Sequence, residues 1–156
     1  MVICKGANNN DIIELIKLRI EFLKENNNVS YSEEDYISIE KNLRTYFIEH
    51  LSNNEYISWV AVIENEIIAT SGLSFHNLPP SMINPTGRIA YIMNMYTKPS
   101  YRRQGIGTEL FIRIIEEAKV LGYKKIELHA TANGISIYKK QGFKEHTTIG
   151  LVKHIG

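Results

Sequence analysis

Two arginines, a glutamine and two glycines lie within YRRQGIGTEL, residues 101–110, where an amphipathic helix is about to begin. The first backbone N–H groups of a helix have no partner inside it, and the helix dipole adds partial positive charge there. Gly105 and Gly107 let a bulky anion approach the backbone, because neither carries a Cβ. Arg102 and Arg103 add full charges with planar donors that suit a phosphate. These residues therefore predict a cradle for a pyrophosphate.

The stretch matches neither of the two best-known phosphate-binding motifs. The pattern GxxxxGK(S/T) is absent, and Leu110 replaces the third glycine of the dinucleotide fingerprint. Taken alone, residues 101–110 fit a glycine-containing turn with two solvent-exposed arginines equally well. The elements around the stretch must decide between these two interpretations.

Periodic apolar residues predict four helices. The first covers residues 12–23 behind asparagines that are good N-caps, and the second follows Ser32 with acidic residues in its first turn. The clearest helix spans residues 105–121, where apolar residues form one stripe and Gly122 provides the stop. A short helix follows at residues 134–141.

Segments rich in β-branched and aromatic residues predict the strands. Residues 56–63 and 67–76 are separated only by Glu64-Asn65-Glu66, which is typical of a hairpin. The prolines and the glycine of the segment that follows predict a loop. Further strands are predicted at residues 2–5, 88–97 and 124–130, and a closing hairpin is predicted within residues 142–155.

The order of these elements, βααβββαβαβ, predicts a single α/β domain over residues 1–156. A strand–helix–strand unit late in the chain implies parallel neighbours, because parallel strands need a crossover connection. The hairpin before this unit adds antiparallel strands. We therefore expect a mixed sheet with helices on both faces.

Composition and charge argue against several classes of function. The chain has 18 Lys and Arg against 17 Asp and Glu, a net charge of +1, so neither nucleic acid nor a membrane is expected as a partner. Cys4 is the only cysteine and the histidines are scattered, so we expect neither a disulfide nor a metal site. The chain shows no signal peptide and no run of about 20 apolar residues, which favours a cytoplasmic protein.

The motifs around the third helix occur in a specific order. Residues 102–107, RRQGIG, match the pattern Q/R-x-x-G-x-G/A, and the strand before them matches apolar-x-x-x-Pro-x-Tyr from Met95 to Tyr101. Further along the chain, Tyr138 is followed by x-x-x-Gly-Phe. In this order and spacing, residues 88–145 resemble the core of the GCN5-related N-acetyltransferase (GNAT) superfamily.

The resemblance implies acetyl-coenzyme A as the acyl donor, held in a cleft where the sheet splays. Backbone groups at the start of the third helix, with the Thr108 hydroxyl, are expected to hold the pyrophosphate. The end of the preceding strand is expected to pair with the amide groups of pantetheine, as an additional strand would. The expected coenzyme-binding residues are Met95, Tyr96, Thr97, Arg102, Arg103, Gln104, Gly105, Ile106, Gly107, Thr108, Thr131 and Tyr138.

The resemblance also suggests roles in the reaction. Tyr138 stands where the family places the donor to the leaving thiolate, and a phenol with a pKa near 10 is protonated at neutral pH. In many relatives a glutamate base precedes the glycine motif by eleven residues; here that position is Tyr91. Because a neutral phenol is a poor base, three explanations stay open: a relay through Tyr91, an amine that arrives neutral, or an acid on the second helix (Glu34, Asp35 or Glu40).

Two further side chains lie near the expected cleft. Thr131 occupies a position where the family often has asparagine, and its hydroxyl is expected to bond the coenzyme. His129 alternates with Thr131 along the same predicted strand. It is either a residue of the acceptor site or an ordinary half-buried polar side chain.

These features predict an N-acetyltransferase that transfers acetyl to a primary amine of a small molecule or a peptide. The alternative is a coenzyme A-binding sensor that kept the cradle without turnover. Residues 1–54 and the loop at 76–87 are expected to shape the acceptor cleft, and their aromatic and acidic residues suit a cation with an apolar body. The residues do not identify the amine, and a homodimer, common in the family, stays open.

Overall fold

Six strands form one mixed sheet in the computed structural model, which describes residues 1–156. The spatial order is β1-β3-β4-β5-β6, and β2 pairs with β4. Every pairing is antiparallel except that of β5 with β6. The strands are β1 (Ile3–Gly6), β2 (Tyr56–Ile57), β3 (Trp59–Ile63), β4 (Glu66–Asn77), β5 (Arg88–Thr97) and β6 (Ile126–Leu128).

Four α-helices connect the strands, and their ends follow local sequence signals. Ser32 caps the second helix: its hydroxyl accepts the N–H of Asp35, and the Asp35 carboxylate accepts the N–H of Ser32. Gly122, with φ 83°, ends the third helix as predicted. The helices are α1 (Ile12–Asn26), α2 (Glu33–Ser52), α3 (Ile106–Val120) and α4 (Ile135–Lys140), with short 3-10 helices at Asn9–Asp11 and Pro99–Tyr101.

Helices cover both faces of the sheet. On one face, α1 and α2 bury Leu15 and Phe47 against Tyr56 of β2. On the other face, α3 buries Phe111 against Ile92 of β5. The parallel β5–α3–β6 unit is present, so the predicted α/β fold with a mixed sheet is confirmed. None of the four helices combines the length and the apolar composition that a membrane-spanning helix requires.

The sheet splays beside the second half of β5. Pairing with β6 ends at Ile92 and Leu128, so the edge of residues 93–97 that faces β6 has no strand partner. Asn94, with φ 58°, forms a bulge, and the register with β4 shifts there. The bulge and the short β6 together open the sheet next to the start of α3.

The structure differs from the predicted strands at the end of the chain. No strand is present after Leu128, so the closing hairpin predicted within residues 142–155 is absent. Ile149 and Leu151 are 88% and 94% exposed, because no sheet edge covers them. The apolar residues of this segment predicted a strand, but a strand also needs a partner for its backbone.

Candidate active site

The start of α3 presents a row of unpaired amides. The backbone N–H groups of residues 103–108 make no hydrogen bond to another protein group, and the first helical bond runs from the N–H of Glu109 to the carbonyl of Gly105 at 3.0 Å. Arg103 and Gly105, with φ 60° and 80°, turn the chain into the helix. Six consecutive donors at a helix N-terminus suit an anion with several oxygens.

Both glycines of the motif leave space in front of these amides. A Cβ on Gly105 would meet nothing within 4 Å, so the space before it is open. A Cβ on Gly107 would lie 3.5 Å from the Thr97 hydroxyl oxygen. The first turn of α3 is therefore adjacent to the end of β5. The residues expected to hold the pyrophosphate and those expected to hold the pantetheine lie together.

The side chain of Arg102 does not add its charge to the row of amides. Its guanidinium pairs with both carboxylate oxygens of Glu25 on α1, at 2.6 and 2.7 Å, and its Nε donates to the carbonyl of Thr97 at 2.8 Å. The hydrogen bond to Arg102 lowers the pKa of Glu25, so the pair is ionised at neutral pH. The expectation that Arg102 charges the cradle is thus corrected: its side chain ties α1 to the loop. Arg103 has no acidic partner within 4.0 Å.

The three residues at the end of β5 differ in burial. Tyr96 is 8% exposed and packs edge-on against Phe22 of α1, with the ring centres 6.3 Å apart. Burial, with Glu21 and Glu25 nearby, raises the pKa of Tyr96 to about 12. Met95 packs against the core on the α3 face. The side chains of Tyr96 and Met95 thus pack on the two faces of the sheet. The groups of this segment that face the open edge are therefore backbone groups.

Tyr138 lies on α4 against the third helix. Its ring centre is 4.9 Å from that of Phe111, and a Cβ on Gly134 would lie 3.1 Å from its hydroxyl oxygen. Burial raises the pKa of Tyr138 above its ordinary value near 10, so the phenol is protonated at neutral pH. The hydroxyl has no hydrogen-bond partner within the protein. Phe143 packs on the same Phe111 ring at 5.5 Å and anchors the chain after α4.

Tyr91 is part of an aromatic cluster that bridges β4, β5 and β6. Its hydroxyl lies 2.5 Å from Nδ1 of His129, just beyond β6. The ring of His76 stacks on it at 5.3 Å with an interplanar angle of 9°. Burial, and then the charge of Glu127, raise the pKa of Tyr91, so it keeps its proton at neutral pH. The structure therefore gives this phenol an imidazole that can receive its proton.

The sequence did not single out the Tyr91–His129 pair. The pair results from the sheet register, because Tyr91 pairs with Glu127 and His129 follows two residues later on the same face. This register was not visible without the structure.

The acids that were alternatives for the base are occupied or remote. Asp35 is held in the cap of α2, where its hydrogen bonds to Ser32 lower its pKa. Glu40 pairs with Arg44 on the same helix at 3.7 Å. Glu34 is exposed in the first turn of α2. None of the three is among the charges that act on Tyr91.

Two further expectations concern the role of Thr131 and the absence of a metal site. The carbonyl of Thr131 accepts the N–H groups of Gly134 and Ile135 at the start of α4, and its side chain is exposed. Its bond to the coenzyme stays a prediction. No three His, Cys, Asp or Glu side chains are grouped so that they could hold a metal ion.

Comparison with known proteins finds acetyltransferases among similar solved structures. The chain is 35% identical to a predicted acetyltransferase from Clostridium acetobutylicum, whose crystal structure was determined with acetyl-CoA; the match covers 98% of this chain and 96% of that one, with a TM-score of 0.89. It is 24% identical, with a TM-score of 0.85, to a GCN5-related N-acetyltransferase from Ralstonia eutropha JMP134, over 98% and 99% of the two chains.

A curated relative matches over a shorter range. The chain is 26% identical over 102 residues to the uncharacterized N-acetyltransferase YjgM of Escherichia coli K12, a match that covers 62% of this chain and 57% of that protein. The family model of the acetyltransferase (GNAT) family matches residues 16–143. This range includes the row of amides, the open edge of β5, Tyr91 and Tyr138, and the chain therefore belongs to the GNAT acetyltransferase family.

Proposed function

We propose that this protein is an N-acetyltransferase that transfers acetyl from acetyl-coenzyme A to a primary amine by direct attack in a ternary complex. The observation that carries the proposal is the row of unpaired amides at residues 103–108, next to the unpaired edge of β5. The similar protein from Clostridium acetobutylicum was solved with acetyl-CoA, which supports the same donor here.

The two backbone surfaces fit the two parts of the coenzyme. The amides of residues 103–108, with the Thr108 hydroxyl, bind the pyrophosphate, because helix dipole and N–H groups act on the same anion. The free edge at residues 93–97 pairs with the amide groups of pantetheine. Holding the donor at both ends places its thioester beside the incoming amine, and positioning of this kind supplies a large part of a rate enhancement.

Three side chains move the protons of the reaction. The amine loses a proton to the oxygen of Tyr91 while the phenol passes its own proton to Nδ1 of His129. The nitrogen–carbon bond then forms and the carbon–sulfur bond breaks. After the attack the nitrogen still carries one proton more than the amide product, and it releases that proton to solvent. Tyr138 donates its proton to the leaving thiolate, and solvent then restores the proton on Tyr138 and removes the one on His129.

The test of the proposal measures thiol release from acetyl-coenzyme A by purified protein with a panel of primary amines. Calorimetry with coenzyme A alone measures binding in the same preparation. Amine-dependent thiol release supports the proposal. Binding of coenzyme A without turnover on any amine would instead identify the coenzyme A-binding sensor.

Replacement of Tyr138 by Phe tests the acid. The ring packing on Phe111 is kept, so we expect unchanged coenzyme affinity and a fall in kcat of about 100-fold, the range of general acid catalysis. Because the pKa of Tyr138 lies above its ordinary value, the wild-type rate should not lose this acid below about pH 9. Tyr123→Phe, a half-buried tyrosine stacked on Phe75, is the control. Equal rates for wild type and Tyr138→Phe would exclude the acid role.

A further inference from the structure

Arg19 on α1 carries a charge that no acidic group of the protein neutralises. The side chain is half-buried. It has no carboxylate within 4.0 Å and makes no hydrogen bond to another protein group. A half-buried charge without an opposite charge is costly, because it gives up part of its hydration without an ion pair to offset the loss.

The surroundings of Arg19 are aromatic. Its guanidinium carbon lies 5.1 Å from the ring centre of Phe22. The ionisable groups that act on it are the phenols of Tyr56, Tyr46 and Tyr91, none of which is charged at neutral pH. Burial lowers the pKa of Arg19 from its ordinary value, and a bound anion would offset this cost. The guanidinium is thus the cation of an incomplete ion pair.

Two acids, Glu55 and Glu127, act on the tyrosines around Arg19, but each is already paired with another group. Glu55 acts on Tyr46, but its carboxylate lies 2.6 Å from Nδ1 of His50. Glu127 acts on Tyr91, but its carboxylate lies 2.9 Å from the Lys125 ammonium. Neither completes the pair with Arg19.

Tyr56, one of the phenols that act on Arg19, is also hydrogen-bonded to Asn94, a residue with an unsatisfied polar atom. Asn94 is 5% exposed, and its Nδ2 donates to the Tyr56 hydroxyl at 3.1 Å. Its Oδ1 is buried and has no hydrogen-bond partner. A buried acceptor without a donor therefore lies in the same cluster as a cation without an anion. A buried polar atom without a partner is rare in a folded protein and calls for an explanation, and a bound polar ligand is one.

We propose that Arg19 binds an oxyanion of the acceptor, so that the acetylated amine carries a carboxylate or a phosphate. The inference rests on the proposed function, because it concerns the acceptor of that reaction. Tyr91, the proton acceptor of the proposed relay, lies on the same face of β5 as Met93, which packs against the core that α1 covers. Its phenol also acts electrostatically on Arg19. An amine at the Tyr91 oxygen thus places the rest of a small molecule near the guanidinium. Carboxylates and phosphates both match its planar, bidentate donors.

The test compares amines that differ only in the anion. Each α-amino acid is paired with its primary amide, and O-phosphoethanolamine is paired with ethanolamine, all at saturating acetyl-coenzyme A. We expect KM to be at least about tenfold lower for the anionic member of one kind of pair, since a hydrogen-bonded charge contributes this much. The pair that shows the preference distinguishes a carboxylate from a phosphate.

Variants of Arg19 separate binding from packing. Arg19→Met keeps an unbranched apolar side chain on this face of α1 and removes the charge. We therefore expect KM for the anionic amine to rise about 10- to 100-fold, with kcat and the KM of the neutral partner nearly unchanged. Arg19→Lys keeps the charge without the planar donors and should fall in between. Arg44→Met, an exposed arginine of α2 paired with Glu40, is the matched control.

Two outcomes would overturn the inference while leaving the proposed function intact: equal KM values within every pair, or equal losses for both members in Arg19→Met. Absence of turnover with every amine would reject the proposed function instead. In that case calorimetry with coenzyme A, N-acetyl amino acids and their amides decides the inference. Stronger binding of the acids that is lost in Arg19→Met supports it, and binding that does not depend on Arg19 overturns it.

Discussion

A phenol that keeps its proton at neutral pH is a poor base, and burial and Glu127 make Tyr91 such a phenol. His129 changes its chemistry, because a neutral imidazole nitrogen can accept the proton that the phenol releases. The two groups lie 2.5 Å apart although 38 residues separate them along the chain. In the proposed relay, Tyr91 on β5 and His129 just after β6 take the place of the glutamate that many relatives have at this position.

Tyr91→Phe and His129→Phe test the relay at the level of single residues. With a lysine-type amine we expect kcat/KM to fall about 100-fold at pH 7, because the ammonium no longer has a route for its proton. The loss should shrink as the pH approaches the pKa of the amine near 10.4, since the amine then arrives neutral. Measured pH–rate profiles from pH 6 to 10 give this comparison.

His76→Phe is the control for both variants, because it keeps the stack on Tyr91 and removes no hydrogen bond. A loss of the same size in His76→Phe would show that packing, and not proton transfer, explains the effect. A pH-independent loss in Tyr91→Phe would contradict the relay as well.

At the level of elements, the site depends on how one helix begins and how one strand ends. The turn at Arg103 and Gly105 brings six N–H groups to the front of α3, and the bulge at Asn94 frees the edge of β5. The two elements meet at Gly107, where a Cβ would lie 3.5 Å from the Thr97 hydroxyl oxygen.

Gly105→Ala tests the cradle, and Gly122→Ala at the other end of α3 is its matched control. Both glycines have φ near 80°, and a Cβ on either would meet nothing within 4 Å. Both variants should therefore lose a similar free energy of unfolding, about 1–2 kcal/mol for a left-handed residue with a side chain. Only Gly105→Ala places a methyl group in front of the amides.

We expect the Kd for coenzyme A, measured by calorimetry, to rise at least about tenfold in Gly105→Ala, the effect of one lost hydrogen bond to a charged group. Gly122→Ala should keep the wild-type Kd. Equal affinities in the two variants would argue against the row of amides as the binding surface.

For the molecule as a whole, a buried tyrosine of β2, Tyr56, packs the layer formed by α1 and α2 against the sheet. Tyr56 is 2% exposed, lies between α2 and the sheet, and is held by the hydrogen bond from Asn94. Its ring fills the space over Gly72 of β4, where any Cβ would overlap the tyrosine hydroxyl. The packing of this helical layer therefore depends on one close contact between a side chain and the backbone of the sheet.

Gly72→Ala should destabilise the whole domain. The added Cβ would lie 2.7 Å from Cζ of Tyr56, which cannot move because the core surrounds it, and overpacking of this kind costs about 1–3 kcal/mol. Gly6→Ala on β1, where a Cβ meets nothing within 4 Å, should change the free energy of unfolding by much less. Urea unfolding midpoints measure both, and equal values would show that Tyr56 yields without cost.

Local sequence signals determined the elements of this protein. Helical periodicity, the Ser32 cap, the stop at Gly122 and the hairpin turn at Glu64-Asn65 each depend on residues a few positions apart, and the structure contains all of them. The order of the motifs likewise identified the family, because residues that form one turn or one strand end must be neighbours in the chain.

Only the tertiary structure decided which distant side chains meet. It pairs Arg102 with Glu25, 77 residues away, joins Tyr91 to His129, and leaves Arg19 among phenols without an acid. It also leaves the C-terminal apolar residues outside the sheet. Such contacts depend on sheet register and on how helices pack, and neither is written in the periodicity of a single segment.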